Sequence, residues 1–325
     1  MLATGAIHSR QSAMAPTSLI IDCDPGVDDA VALFLAFASP EALDLVAITT
    51  VAGNVGVEQT TRNARIIREI AAREDVPIFA GATRPLVRQP VLAAEFHGKT
   101  GLGALEIFEP RAPAALGHAA RAIIDAVMNR PAGSVRLGVT GPMTNLALAL
   151  REEPALATRL GGVVAMGGAW SEGGNITPYA EYNIHADPHA AEAVFASDCR
   201  VVMLGLDATH QVLTTPARLA ALQAIATPVA RAAFSLFDFS SRIERAIKGR
   251  TGAPMHDPCT IGWLLAPQLF TATPVDLAVV TDDGPRLGQT AIDFHPGDPA
   301  RAKVQWVTRV DADGFFDLLL ERLAR

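Results

Sequence analysis

The chain has 325 residues, half of them hydrophobic and 19% charged, with a formal net charge of −7. That acidic balance, with no basic run, excludes a general nucleic-acid binder, and no stretch approaches a membrane span in length. Three cysteines, Cys23, Cys199 and Cys259, are odd in number and far apart, which excludes a disulfide framework and points to a reducing, cytoplasmic setting.

Residues 1–17 are small and polar and are expected to form a disordered extension; Arg10 is followed by no apolar run of signal-peptide length. Residues 18–21 read as the end of a buried strand, and 30–38 as a helix apolar on every face. Between them lies Asp22-Cys23-Asp24-Pro25-Gly26-Val27-Asp28-Asp29, four carboxylates within eight residues. Pro25-Gly26 is turn chemistry, and Asp28 or Asp29 suits the helix N-cap. A second buried strand spans 43–51 and ends at Ala52-Gly53-Asn54. A polar helix follows over 57–73, then a short strand over 76–80. Residues 84–103 lack periodicity and carry the glycine-rich loop His97-Gly98-Lys99-Thr100-Gly101-Leu102-Gly103.

Further along, 117–129 is a helix, and 135–139 a strand ending at Thr140-Gly141-Pro142. A helix capped by Thr144 or Asn145 runs to Arg151. Residues 162–166 form a strand ending at Gly167-Gly168, Asp187-Pro188 opens a helix, and 200–205 is a strand. A long helix over 228–249 places Phe234, Phe237, Ile243 and Ile247 on one apolar side. His256-Asp257-Pro258-Cys259 opens an apolar helix to Leu265. Strands near 275–280, 289–294 and 304–309 precede a helix from Asp311, and Asp282-Asp283-Gly284 reads as a hairpin turn.

Strands and helices alternate and the strands are apolar throughout. This predicts a single α/β domain over 18–325, built on a mainly parallel, Rossmann-like open sheet flanked by helices. Asp24, Asn54, Thr140 and Gly167 each follow a predicted strand, so the fold gathers them at one sheet edge, where ligands bind. Four acids at one turn repel each other unless a cation neutralises them. Oxygen ligands suit Ca²⁺ or Mg²⁺; a capped, solvated turn is the plain alternative. Cys23 lies between two acids that disfavour its thiolate and reads as a packing residue.

The acidic signature 22–29 resembles that of the inosine–uridine preferring nucleoside hydrolases. Five further segments resemble the family in order: Thr49-Thr50-Val51-Ala52-Gly53-Asn54, Thr140-Gly141-Pro142-Met143-Thr144-Asn145, Met166-Gly167-Gly168, Glu181-Tyr182-Asn183 and His256-Asp257-Pro258. The resemblance implies Ca²⁺-dependent hydrolysis of the N-glycosidic bond of ribonucleosides. The implied metal ligands are Asp24, Asp29, Asp257 and the Thr140 carbonyl. Asp28, Asn54 and Asn183 would bind the ribose, Asn175 and Glu181 its 5′ end, and Met166 would pack on the sugar. Cleavage builds positive charge at C1′ and O4′. Calcium lowers the pKa of a bound water, and Asp24 is the implied base. His256 is the implied acid for the leaving base, with His97 a second group near it. Relatives of this kind imply a homodimer or homotetramer.

Two features depart from the family pattern. The helix 228–249 has no tyrosine to reach a nucleobase, offering Phe239, Arg242, Glu244 and Lys248 instead, so the favoured base is left open. The extension before Thr17 has no counterpart. Two other functions compete. One is a Mg²⁺-dependent haloacid-dehalogenase-like phosphatase, with Asp282-Asp283 as its later acidic pair. That reading lacks the expected Thr or Val at Gly26 and has only Lys99, Lys248 and Lys303 to supply its lysine. The other is a non-catalytic nucleoside-binding protein on the same fold. His185, His189 and His210 read as structural, and Trp170, Trp263 and Trp306 as packing residues, Trp170 with a second reading at the pocket mouth.

Overall fold

The computed structural model describes residues 15–325, so residues 1–14 of the expected extension lie outside the described residues. The boundary expected after residue 17 falls slightly earlier. Thr17 already donates its N–H to the Ala42 carbonyl at 2.9 Å and pairs in register with Leu43. The strands are β1 (Thr17–Cys23), β2 (Leu43–Thr50), β3 (Ile78–Ala80), β4 (Val135–Val139), β5 (Val163–Met166), β6 (Val201–Leu204), β7 (Phe270–Val279), β8 (Thr290–Asp293) and β9 (Val304–Val310). They form one nine-stranded sheet in the order β3-β2-β1-β4-β5-β6-β9-β7-β8. Pairing is parallel from β3 to β9, and β7 runs antiparallel to both β9 and β8.

Helices cover both faces, which is why the strands read as continuous apolar runs. Leu19, Ile21 and Cys23 of β1 face one layer, with the helices Val27–Phe37, Pro228–Lys248, Pro258–Leu265 and Ala312–Leu323. Ile20 faces the other, with Ala119–Met128, Thr144–Glu152 and Pro188–Ala196. This is the period-2 alternation of a strand buried on both sides. Helix Val27–Phe37 is enclosed on nearly every face, and Asp28 alone of its residues is not fully buried.

The chain reverses its direction of travel across the sheet between β1 and β4. β2 and β3 lie on one side of β1, and β4, β5 and β6 on the other. Such a switch point opens a crevice at the carboxyl ends of the strands, and the acidic turn after β1 stands at its rim.

Three details differ from the sequence expectation. β7 starts at Phe270, because its pairing with β9 continues to Val310 through a bulge at Thr271/Ala272. The short helices Tyr182–Ala186, Leu206–Thr209 and Pro216–Gln223 occupy stretches with too few turns to show a helical period. Ile247 is 57% exposed, because the last turns of Pro228–Lys248 run past the core before Gly249 ends the helix at φ +66°.

Candidate active site

The turn after β1 is held by its own acids. Asp29, in the first turn of Val27–Phe37, accepts the Gly26 N–H at 3.0 Å and the Asp24 N–H at 3.3 Å, and the Thr140 hydroxyl donates to it at 2.8 Å. The helix start therefore uses one acid as a cap. Asp22 points to the opposite side of β1, where Thr49 and Asn145 donate to one oxygen at 2.6 and 2.8 Å; the other oxygen is buried without a partner. Asp22 is a support beneath the turn.

Asp24 is fully buried. Its Oδ2 accepts the Asn54 N–H at 2.7 Å, while Oδ1 is buried without a partner. Gly53 and Gly141 flank this carboxylate so closely that a Cβ on either would lie 2.0 and 2.6 Å from its oxygens. Asn54 binds the turn at two more points, the Asp24 carbonyl at 3.0 Å and Asp29 Oδ2 at 3.2 Å. Across the sheet edge, the Asn183 amide donates to the Thr140 carbonyl at 2.8 Å and approaches the Met166 carbonyl at 3.3 Å. The ends of β1, β2, β4 and β5 are thus knitted into one cluster, as the strand-end residues predict. Glu181 caps Tyr182–Ala186, with its two oxygens taking the N–H groups of Gly168, Asn183 and Ile184. Asn175 accepts the Tyr182 N–H at 2.8 Å.

Asp257 arrives from far along the chain, at the N-terminus of Pro258–Leu265. Carboxylate oxygens of Asp28, Asp29 and Asp257 lie within 4.8 Å of one another. No arginine or lysine among the described residues pairs with these acids or with Asp24. Burial therefore raises every member of the group. Asp24 and Asp257 stand well above the usual carboxylate range, from burial first and neighbouring acids second, and Asp29 is pushed up to about 6 by burial and Asp28. Buried like charges with unpartnered oxygens fit a hard divalent cation. The donor set is all oxygen, and the cluster could hold a metal.

Asp28, Asn54, His97, Thr140, Met166, Asn175, Glu181, Asn183, His256 and Asp257 all line one cavity, whose walls mix apolar side chains with a few convergent polar groups, as small-molecule sites do. Asp24 and Asp29 are not on its surface but directly behind it. His97 accepts the Val27 N–H through Nδ1 at 3.1 Å, which ties the glycine-rich loop to the helix start; burial lowers it to about 4 and keeps it neutral. His256 Nδ1 lies 2.8 Å from the Thr209 hydroxyl. Burial, then His210 and Lys248, hold the His256 ring well below its usual pKa.

One wall of the cavity comes from Pro228–Lys248 through Ser240, Ile243, Glu244 and Lys248. Phe239 and Arg242, the other two polar or aromatic candidates of that helix, are elsewhere. Phe239 packs on Gly98 and Gly103, and Arg242 pairs with Asp238 at 2.5 Å on the surface. Trp170 is 55% exposed against Phe294, outside the cavity, so it packs there rather than lining the mouth. Asp282 and Asp283 lie in the exposed connection between β7 and β8, away from the cavity, which removes the acidic pair a phosphatase reading needs. Sequence reasoning missed Thr209, the hydroxyl partner of His256; His210, read as structural, lies off the cavity lining with its Nδ1 2.8 Å from Glu172 and its ring centroid 5.8 Å from that of His256. Sequence reasoning also missed Phe96, Ser240 and Tyr182 in the lining. These residue types carry no spacing signal.

Over residues 19–317 the chain matches the family described as inosine-uridine preferring nucleoside hydrolase. The pyrimidine-specific ribonucleoside hydrolase RihA of Salmonella gallinarum is 42% identical over 308 residues, 94% of this chain and 97% of that one. Among solved structures, a plant nucleoside hydrolase has a TM-score of 0.89 at 32% identity, covering 95% of this chain and 99% of that one. A purine-preferring ribonucleoside hydrolase from Gardnerella vaginalis has a TM-score of 0.88 at 31% identity, covering 94% and 98%. Likeness of this extent, in sequence and in backbone alike, leaves one conclusion: the chain belongs to the inosine-uridine preferring nucleoside hydrolase family.

Proposed function

We propose that the chain hydrolyses the N-glycosidic bond of ribonucleosides to free nucleobase and ribose, with Ca²⁺ held by Asp24, Asp29, Asp257 and the Thr140 carbonyl. The observation that carries this reading is the cluster of half-buried Asp28 with buried Asp29 and Asp257 at the cavity, beside an Asp24 oxygen that has no partner. When bound, the ion supplies Lewis acidity toward water and anchors sugar hydroxyls. Asp28 faces the cavity, so it serves as an acceptor for a ribose hydroxyl, together with Asn54 and Asn183. Met166 packs under the sugar, and Asn175 and Glu181 stand at its 5′ end.

The C1′–N bond breaks with its electron pair leaving on the base, and a water oxygen bonds to C1′. Asp24 Oδ1 is the free acceptor for the proton that water gives up. The carboxylates around the cavity stabilise the positive charge that gathers on C1′ and O4′. The departing base nitrogen takes up a proton as the bond breaks. With the Thr209 hydroxyl donating to Nδ1, neutral His256 keeps its hydrogen on Nε2 and donates it as a hydrogen bond to the departing base; the proton the base gains is matched by the one water gives up, so the imidazole stays neutral. His97, which also lines the cavity, offers a second Nε2–H hydrogen bond, since its Nδ1 is occupied by the Val27 N–H. The three cysteines are free and buried, and no helix of the described residues is long and apolar enough to cross a membrane. Both agree with a cytoplasmic salvage enzyme, expected as a homodimer or homotetramer.

The test is ribose release from a panel of purine and pyrimidine ribonucleosides, followed by a reducing-sugar assay with added Ca²⁺ and with chelator. Turnover that chelator abolishes and Ca²⁺ restores is expected, and Asp24→Ala should remove it by about 10²–10⁴-fold with an unchanged circular dichroism spectrum. Binding of nucleosides without any ribose release would favour the non-catalytic alternative.

A further inference from the structure

The cavity has two chemically different ends. One is the acidic sheet edge. The other is the wall from Pro228–Lys248, which carries an ion pair where an apolar or aromatic surface would suffice to hold a flat ring. Lys248 Nζ lies 3.3 Å from Glu244 Oε1 and 5.5 Å from the centre of the Phe96 ring, so it is fixed between a carboxylate and an aromatic face. Glu244 Oε2 is buried and has no hydrogen-bond partner; Arg250 approaches it only to 3.8 Å. The Glu244 side chain is 13% exposed. A buried carboxylate oxygen left unpaired is expensive, and one on a cavity wall is relieved by a ligand that brings N–H donors.

We infer that Glu244 and Lys248 select the nucleobase and that the base they fit best is guanine. This rests on the hydrolase reading above and names its substrate. His256, next in sequence to Asp257, lines the same cavity as Glu244 and Lys248, so a ribose seated on the acids leaves its base to these remaining polar groups of the lining. Guanine presents, side by side, the O6 acceptor, the N1–H donor and the N2 amino donor. Lys248 donates to O6, and the two oxygens of Glu244 accept from N1–H and the amine. Hypoxanthine keeps O6 and N1–H but has no amine, so one carboxylate hydrogen bond is lost. Uracil sets a second carbonyl against the carboxylate. Adenine and cytosine offer a single amine and no adjacent ring N–H. Ile243 supplies apolar surface beside the ion pair.

The test measures kcat/KM for guanosine, inosine, adenosine, uridine and cytidine with the Ca²⁺-loaded protein, and repeats guanosine and inosine with Glu244→Gln and Lys248→Met. One charge-assisted hydrogen bond corresponds to about ten- to a hundredfold, so guanosine should exceed inosine by that factor. In Glu244→Gln the guanosine-to-inosine ratio should fall toward one, chiefly through KM, because the amide turns a donor toward the base. Lys248→Met should weaken both substrates. Thermal melting of each variant separates loss of fold from loss of selectivity. Guanosine turned over no better than inosine, or a ratio unchanged in Glu244→Gln, overturns the inference while leaving the hydrolase reading intact. Absence of turnover with every nucleoside overturns the hydrolase reading and this inference with it.

Discussion

Substituting Gly53 by alanine tests the placement of Asp24 without replacing any polar side chain. A Cβ built on Gly53 would lie 2.0 Å from Asp24 Oδ2 and 2.8 Å from its Cγ, against 3.4 Å or more for an ordinary contact. The carboxylate must withdraw by over an ångström. It has no room to do so on its far side, where Oδ1 already sits against Gly141. Withdrawal also stretches the 2.7 Å hydrogen bond from the Asn54 N–H, a loss of about 1.5–3 kcal/mol for a charged acceptor. Displacing a reacting group by 1 Å lowers rate by about 10². Gly53 is not in the left-handed region, so alanine can adopt its backbone and the effect isolates space from conformation. Gly53→Ala should therefore lose about a hundredfold in ribose release and melt earlier. Gly56→Ala is the control, three residues on. It has φ −62° and ψ 156°, with nothing nearer its Cβ than Glu58 Oε2 at 3.6 Å; as the N-cap of Val57–Ile70 it should lose about 1 kcal/mol of stability while ribose release stays at the wild-type level. Turnover of Gly53→Ala within threefold of wild type, with an unchanged melting temperature, would refute the assignment of Asp24 and the packing argument together.

Two other measurements bear on neighbouring parts of the site. His256→Ala should lower nucleoside turnover by about 10²–10⁴-fold, but should affect a p-nitrophenyl riboside far less, because that leaving group departs without a proton; equal losses on both substrates would remove His256 from leaving-group chemistry. Glu181 gives a pH signature in the metal-free protein. Burial pushes its carboxyl from 4.5 up to about 7, against the pull of three backbone N–H donors. The folded state then holds the proton more tightly than the unfolded chain. Its stabilising contribution is complete below about pH 4.5 and is lost as pH rises through about 7, a change of about 3 kcal/mol. Denaturant unfolding of wild type and Glu181→Gln across that window should show the difference between them falling with pH; a flat difference would mean that the N–H donors outweigh burial.

Much of this protein was legible in one dimension because its signals are local. A strand buried on both faces is an apolar run, so the central parallel strands could be placed from their apolar runs; Asp187 and Asp311 mark helix starts by side-chain caps, and Pro258 marks one by its place in the first turn, although Asp257 makes no capping hydrogen bond. A parallel sheet puts its carboxyl ends on one edge, so Asp24, Asn54 and Thr140 were bound to meet. Tertiary structure decided what depends on distance through space. It carried Asp257 across more than two hundred residues to within a few ångströms of Asp28 and Asp29, and set Asp24 behind the cavity surface rather than on it. It also separated Glu244 and Lys248, which face the cavity, from Arg242, which pairs at the surface with Asp238 one helical turn before it. On a helix that leaves the core, periodicity tells which residues share a face but not what that face meets; only the packing of the loop 94–103 and the chain around His256 against it made one stripe a binding wall.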